Sequence, residues 1–231
     1  MLMADDYRSG CGFQTVEPCP ENVQETDEGT GSLLASLARL HSALARERTE
    51  APALTAELLS APDVAQEERL RADPRFHTWG ICELLLAGAE SEGDAAEAGH
   101  LAGLALAGAD LLDPVRHPAP VVEDLKARIW AARGEAHRRG HDLQGAEEAL
   151  RHAASCLSRG TGDLLVEARL LEFEATVRRD QGRTGEAAGL FKQAAGRYRQ
   201  IGDQPRHERA IAEREATLRM GGSGHSSRSL V

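Results

Sequence analysis

One block of residues recurs three times along the chain, and such a recurrence limits the fold more tightly than composition does. Around Trp130 the sequence runs Trp130, Arg133, Gly134 and His137, then a Gly140 turn, then Ala146, Leu150 and Ala153. Forty-one residues after Trp130 the frame returns as Leu171, Ala175, Arg178, the Gly182 turn, Ala187, Phe191 and Ala194. Forty-eight residues before Trp130 it stands as Cys82, Leu86, Ala89, Gly93, Ala98, Ala102 and Ala105. Small residues recur where two helices must approach closely, with larger apolar residues beside them at helical spacing. A helix–turn–helix unit of this kind cannot bury its apolar face alone, so copies stack on one another. The pattern predicts an all-α chain with about three helix pairs, and a binding scaffold as its use.

Composition agrees with the periodicity. Aromatic residues make up 3% of the 231 residues, no long β-branched run exists, and Ala, Leu, Glu and Arg, all strong helix formers, dominate. The longest apolar stretches, 81–89 and 101–107, fall well short of the roughly 20 residues that span a bilayer. No basic region followed by an apolar one opens the chain, so a secretion signal is not expected. Cys11, Cys19, Cys82 and Cys156 are too scattered for a disulfide framework. A cytoplasmic protein with reduced thiols is the expectation, and two lysines against 25 arginines point to a bacterial one.

The net charge of −10 is unevenly spread. Residues 1–31 hold seven acids against Arg8, and residues 32–124 hold sixteen acids against seven bases. Residues 125–220 reverse the sign, with eighteen bases against fourteen acids. An acidic front half argues against general nucleic-acid binding and leaves room for a local basic groove.

Four segments follow. Residues 1–31 lack an apolar period and read as a disordered acidic tail. Residues 32–74 read as irregular helices: one capped by Ser32 and running to about Arg48, one over Ala53–Leu59, and one over Val64–Arg71. Residues 75–220 hold the repeats, with helices over 75–91, 95–112, 121–139, 143–158, 164–181, 185–201 and 206–220. Asp94 with Glu97 forms a capping-box pattern, and Gly140 is suited to the left-handed position after a helix end. Residues 221–231 read as a second disordered tail.

The block resembles the tetratricopeptide repeat family, whose signature is Trp-x2-Leu-Gly-x2-Tyr, then Ala-x3-Phe, then Pro. Trp130 and Gly134 match the first part, His137 holds the Tyr position, and Ala146 and Leu150 the Ala and Phe positions. In the third pair Ala187 and Phe191 match. Arg133 replaces the family's Leu, Ser158 and Arg199 stand where Pro belongs, and the spacings exceed 34 residues. The resemblance implies a right-handed solenoid and places Trp130 in the seam of its own pair, largely buried. It also implies a concave surface lined by the first helix of each pair. The inward positions map to Arg128, Glu135, Arg138 and Arg139 in the second pair, and to Arg169, Glu172, Thr176 and Arg179 in the third. Five arginines there suit carboxylates, which a guanidinium binds in bidentate fashion.

Motifs for chemistry are missing. No phosphate-binding loop, dinucleotide-binding glycine pattern, serine-nucleophile motif or zinc-protease motif occurs. His137 and His141 are four apart, but Gly140 between them ends the helix, so the rings do not stay aligned for a metal. His137 is expected to pack and His141 to sit in a solvated turn. Cys82 and Cys156 fall on apolar helix faces as small buried groups. Glycines 80, 88, 99 and 103 are read as close-packing sites between helices. No catalytic, cofactor or metal site is therefore expected. The expected function is a non-enzymatic interaction scaffold or adaptor whose groove takes a peptide or helix, acidic in character, from another protein. Direct nucleic-acid or membrane binding is not expected. The alternative is the sensory or effector-binding module of a bacterial transcriptional regulatory system.

Overall fold

The computed structural model describes residues 25–223, and among these the ordered elements are helical. They are α1 (Glu25–Leu59), α2 (Asp63–Ala72), a 3-10 turn (Pro74–Phe76), α3 (Trp79–Ser91) and α4 (Ala95–Asp110). There follow α5 (Ala119–Arg139), α6 (Leu143–Leu157), α7 (Leu164–Asp180), α8 (Thr184–Gln200) and α9 (Gln204–Ser223). None of these helices is long and apolar enough to cross a membrane. Two compact units divide the chain at His41, and the packing and the cavity described below belong to the second, Ser42–Val231. In it each helix from α3 onward packs against the next in sequence, and α3 with α5 and α5 with α7 also touch.

The sequence places the boundaries from α3 onward within a few residues, and local chemistry explains them. Thr78 Oγ1 accepts from Ile81 N, Asp94 Oδ1 from Ala96 N and Glu97 N, Asp142 Oδ1 from Gly145 N, and Asp163 Oδ1 from Leu165 N. Each satisfies amide donors that a helix start leaves without partners. The reciprocal half of the Asp94 box is made by Glu92 rather than Glu97: Asp94 N donates to Glu92 Oε1 at 3.0 Å.

The front segment departs from expectation. The helix start expected at Ser32 falls inside α1, which already begins at Glu25 and continues through Pro52 to Leu59. Residues 25–31 are thus helical, while residues 1–24 lie outside the described residues. Pro52 removes one helical donor and crowds the preceding turn. Helix persists across it because Ala51 and Leu58 on either side are fully buried. At the far end α9 carries helix to Ser223, past the expected boundary at 221, and residues 224–231 lie outside the described residues. The first helix of the first pair starts at Trp79, since Pro74–Phe76 forms its own turn under an Asp73 cap.

The turns carry a second correction. Asp142 N donates to His137 O and His141 N to Arg138 O; Arg183 N donates to Arg178 O and Gly182 N to Arg179 O. Asp203 N with Tyr198 O and Gly202 N with Arg199 O repeat the arrangement. These are three Schellman closures. Their left-handed residues are His141 (φ 61°), Gly182 (φ 76°) and Gly202 (φ 75°). Gly140 keeps φ −76°, so the left-handed position belongs to His141, one residue later than expected.

The recurring frame coincides with the packing seams. Ala98, Ala146 and Ala187 are fully buried, as are Ala105, Ala153 and Ala194. A side chain at Gly134 would run into the Phe173 ring and come within 3.0 Å of Ala149 Cβ, so α5 closes on α6 and α7 there only because it lacks one. At Gly80 a Cβ would lie 2.6 Å from Glu47 O, which sets the close crossing of α1 and α3. At Gly88 a Cβ would lie 3.2 Å from Leu101 Cδ1, tighter than ordinary contact, whereas Gly99 and Gly103 make no close approach. Trp130 is only half-buried: its ring stacks on His152 at 4.4 Å and Arg133 covers it at 5.2 Å.

Candidate functional site

The first helices of successive pairs, α3, α5 and α7, together with α9, line one cavity of about 450 Å³. Its floor is apolar, formed by Ala89 of α3, Ala127 and Ala131 of α5, Leu170 and Phe173 of α7, and Phe191 of α8. Alanines on α5 opposite larger side chains on α7 leave space that a bulkier residue would fill. Small side chains are therefore the local cause of the cavity.

Six of the eight groove residues read from the resemblance line it: Arg128, Glu135, Arg169, Glu172, Thr176 and Arg179. Arg138 and Arg139 do not. Arg138 Nη2 donates to Glu135 Oε1 at 2.7 Å and Nη1 to Asp180 Oδ2 at 2.6 Å, which ties the end of α5 to the end of α7. Its guanidinium is held above the usual arginine range, first by the hydrogen bond to Glu135. Arg139 Nη1 donates to Glu92 O, satisfying a carbonyl just past the end of α3. Both arginines thus join the ends of neighbouring helices.

Charge inside the lining differs from a row of open arginines. Arg179 Nη1 donates to Glu213 Oε2 at 2.7 Å, with its guanidinium 5.7 Å from the Phe191 ring. Arg209 Nη2 lies 3.2 Å from Glu172 Oε2, which also accepts from Tyr198 Oη at 2.6 Å. Burial, then the Glu172 carboxylate, push the Tyr198 phenol up. Arg169 Nη1 stands 3.7 Å from Glu90 Oε1. Thr176 Oγ1 is spent on Glu172 O at 2.6 Å. Arg128 differs from these: among the described residues it makes no ion pair, and its buried Nε has no hydrogen-bond partner. The lining holds four arginines, 128, 169, 179 and 209, and four glutamates, 90, 135, 172 and 213.

Glu90, Arg209, Glu213 and the aromatic floor were not among the sequence-derived candidates. Glu213 was within reach, since it stands forty-one residues beyond Glu172 in the same frame. The floor residues follow from helical spacing along α5 and α7, but only the packing shows which side of that stripe stays unfilled.

The remaining chemistry-bearing groups are structural. His137 Nδ1 lies 2.9 Å from Asp142 Oδ2, and His141 occupies the left-handed turn position. Asp142 is lowered chiefly by the Gly145 amide and then by His137. Cys82 is buried, and burial pushes its thiol up to about 12; burial also raises Cys156, followed by Glu123. Neither thiol is activated as a nucleophile. Cys11 and Cys19 lie outside the described residues. Among the described residues no group of three or more His, Cys, Asp or Glu side chains is placed to hold a metal ion. No family model, curated protein or solved structure matches the chain.

Proposed function

We propose that this chain is a non-enzymatic interaction scaffold of tetratricopeptide-repeat type, acting in a bacterial cytoplasm, whose stacked pairs form a solenoid and whose α3–α5–α7–α9 cavity seats a helix or peptide of another protein. The observation that carries this reading is the cavity itself, an apolar trough rimmed by ion pairs and built across successive first helices. Two features support the repeat architecture: buried alanines at matching positions of successive pairs, and Schellman turns at His141 and Gly182, forty-one residues apart. Rigid walls mean that the partner segment bears most of the ordering cost, and an apolar groove with a polar rim is how helices are commonly taken up.

The test is selection of helical peptides from a displayed library against the full chain. Helices carrying apolar residues at i, i+3 or i+4, and i+7 should be enriched. They should lose binding to Ala131→Trp, and to Thr176→Trp on the facing helix, with far-UV circular dichroism of both variants unchanged. No enrichment, or enriched helices that bind both variants as well as the parent, would overturn the reading.

A further inference from the structure

Resting on that reading, the geometry points to an occupant of narrower chemistry: an amphipathic helix that brings a single carboxylate to Arg128, rather than a generally acidic segment.

Length comes first. Along α7 the lining runs from Val166 to Arg179, which at 1.5 Å per residue is on the order of 20 Å. A trough of that length matches a helix of about thirteen residues lying along it. Ala89, Ala131, Leu170, Phe173 and Phe191 offer such a helix an apolar bed.

Charge complementarity then fixes the polar contact. Three of the four lining arginines already face glutamates, in the pairs Arg169–Glu90, Arg179–Glu213 and Arg209–Glu172. The fourth glutamate, Glu135, is drawn to Arg138 outside the lining. A multiply acidic peptide would therefore meet a rim already supplied with carboxylates. Arg128 alone in the lining makes no ion pair among the described residues, although Glu83 on α3 lies near enough to feel its charge. A carboxylate brought to the open side of this guanidinium makes the charge-assisted pair that the other three lining arginines already have. One acid at one register position, among apolar neighbours, is what this cavity recognises.

The experiment uses helices selected on the full-length chain. They should share one Glu or Asp at a fixed register. Arg128→Met should weaken binding about tenfold or more, Arg128→Lys less, and exchange of the peptide acid for its amide should match Arg128→Met. The double change should cost no more than either single one, as coupled partners require. Selected helices without a shared acid, or binding that stays within about twofold in Arg128→Met while Ala131→Trp abolishes it, would overturn the carboxylate assignment and leave the groove reading standing. Failure to select any helix, or indifference of the selected helices to Ala131→Trp and Thr176→Trp, would overturn both.

Discussion

The packing around α3 and α4 and the packing around α6 to α9 solve one problem with different side chains. In the former, Ile81, Leu85, Leu86, Leu125 and Ile129 join one continuous cluster that reaches from the end of α1 to α5, each at most 1% exposed. In the latter the buried residues fall into smaller groups: Leu150, Phe173 and Val177 with Ala146 and Ala153, and Tyr198 with alanines of α7 to α9. Alanine seams bring helices close but remove less apolar area per residue, so each such interface contributes less. Ion pairs between neighbouring helices accompany them, among them Arg178–Glu147, Arg197–Glu167 and Arg179–Glu213. Branched aliphatic side chains fill the front half. Between the two regions, alanines on α5 facing α7 leave the trough, so core volume is given up where the cavity opens.

The sharpest way to break this contrast is truncation. Leu86→Ala should cost about 3–5 kcal/mol, because a fully enclosed site cannot collapse, whereas Leu150→Ala should cost about 2–3. Chemical denaturation measures both, and equal costs would remove the distinction. Gly134→Ala probes the close seam and should cost about 1–3 kcal/mol, since the new methyl meets the Phe173 ring. Trp130→Ala should cost about 2 kcal/mol, below the range for a fully enclosed tryptophan, because the ring is half open and rests on His152.

Acid should act next. Glu147 is held below its usual range first by Gln181 and Arg178, and Asp203 first by the Arg206 amide. A folded pKa below the unfolded one adds stability above the unfolded value and loses it as pH falls through the folded value. Hydrogen-exchange protection, taken relative to the unstructured amide at each pH from 6 towards 3, should therefore fall on moving below the ordinary carboxylate range, and in α7 to α9 before α3 and α4. Simultaneous opening would contradict the contrast. The smallest expected effect is a gain. His141→Gly relieves about 1–2 kcal/mol of left-handed strain and costs about 0.5–1 in chain entropy, so the midpoint should rise slightly.

Much of this arrangement was legible in the sequence. The helices from α3 onward could be read because periodic apolar residues and Asp or Thr caps mark them. The left-handed turn was misplaced at Gly140 by reading residue type over register: forty-one residues before Gly182 stands His141. The continuity of α1 through Pro52 was not legible, since burial of Ala51 and Leu58 by other elements overrides the local preference. Arg138 and Arg139 could not be told from Arg128 by spacing, because whether an arginine faces the cavity or spans two helix ends depends on acids and carbonyls contributed by other helices.

The central claim, that the concave trough and not the outer face is the binding surface, meets its most direct test in site-specific photo-crosslinking. A benzophenone side chain placed at Thr176 in the trough should form adducts with a selected helix, and one placed at His152 on α6 should form none. Adducts from His152 with none from Thr176 would contradict the account.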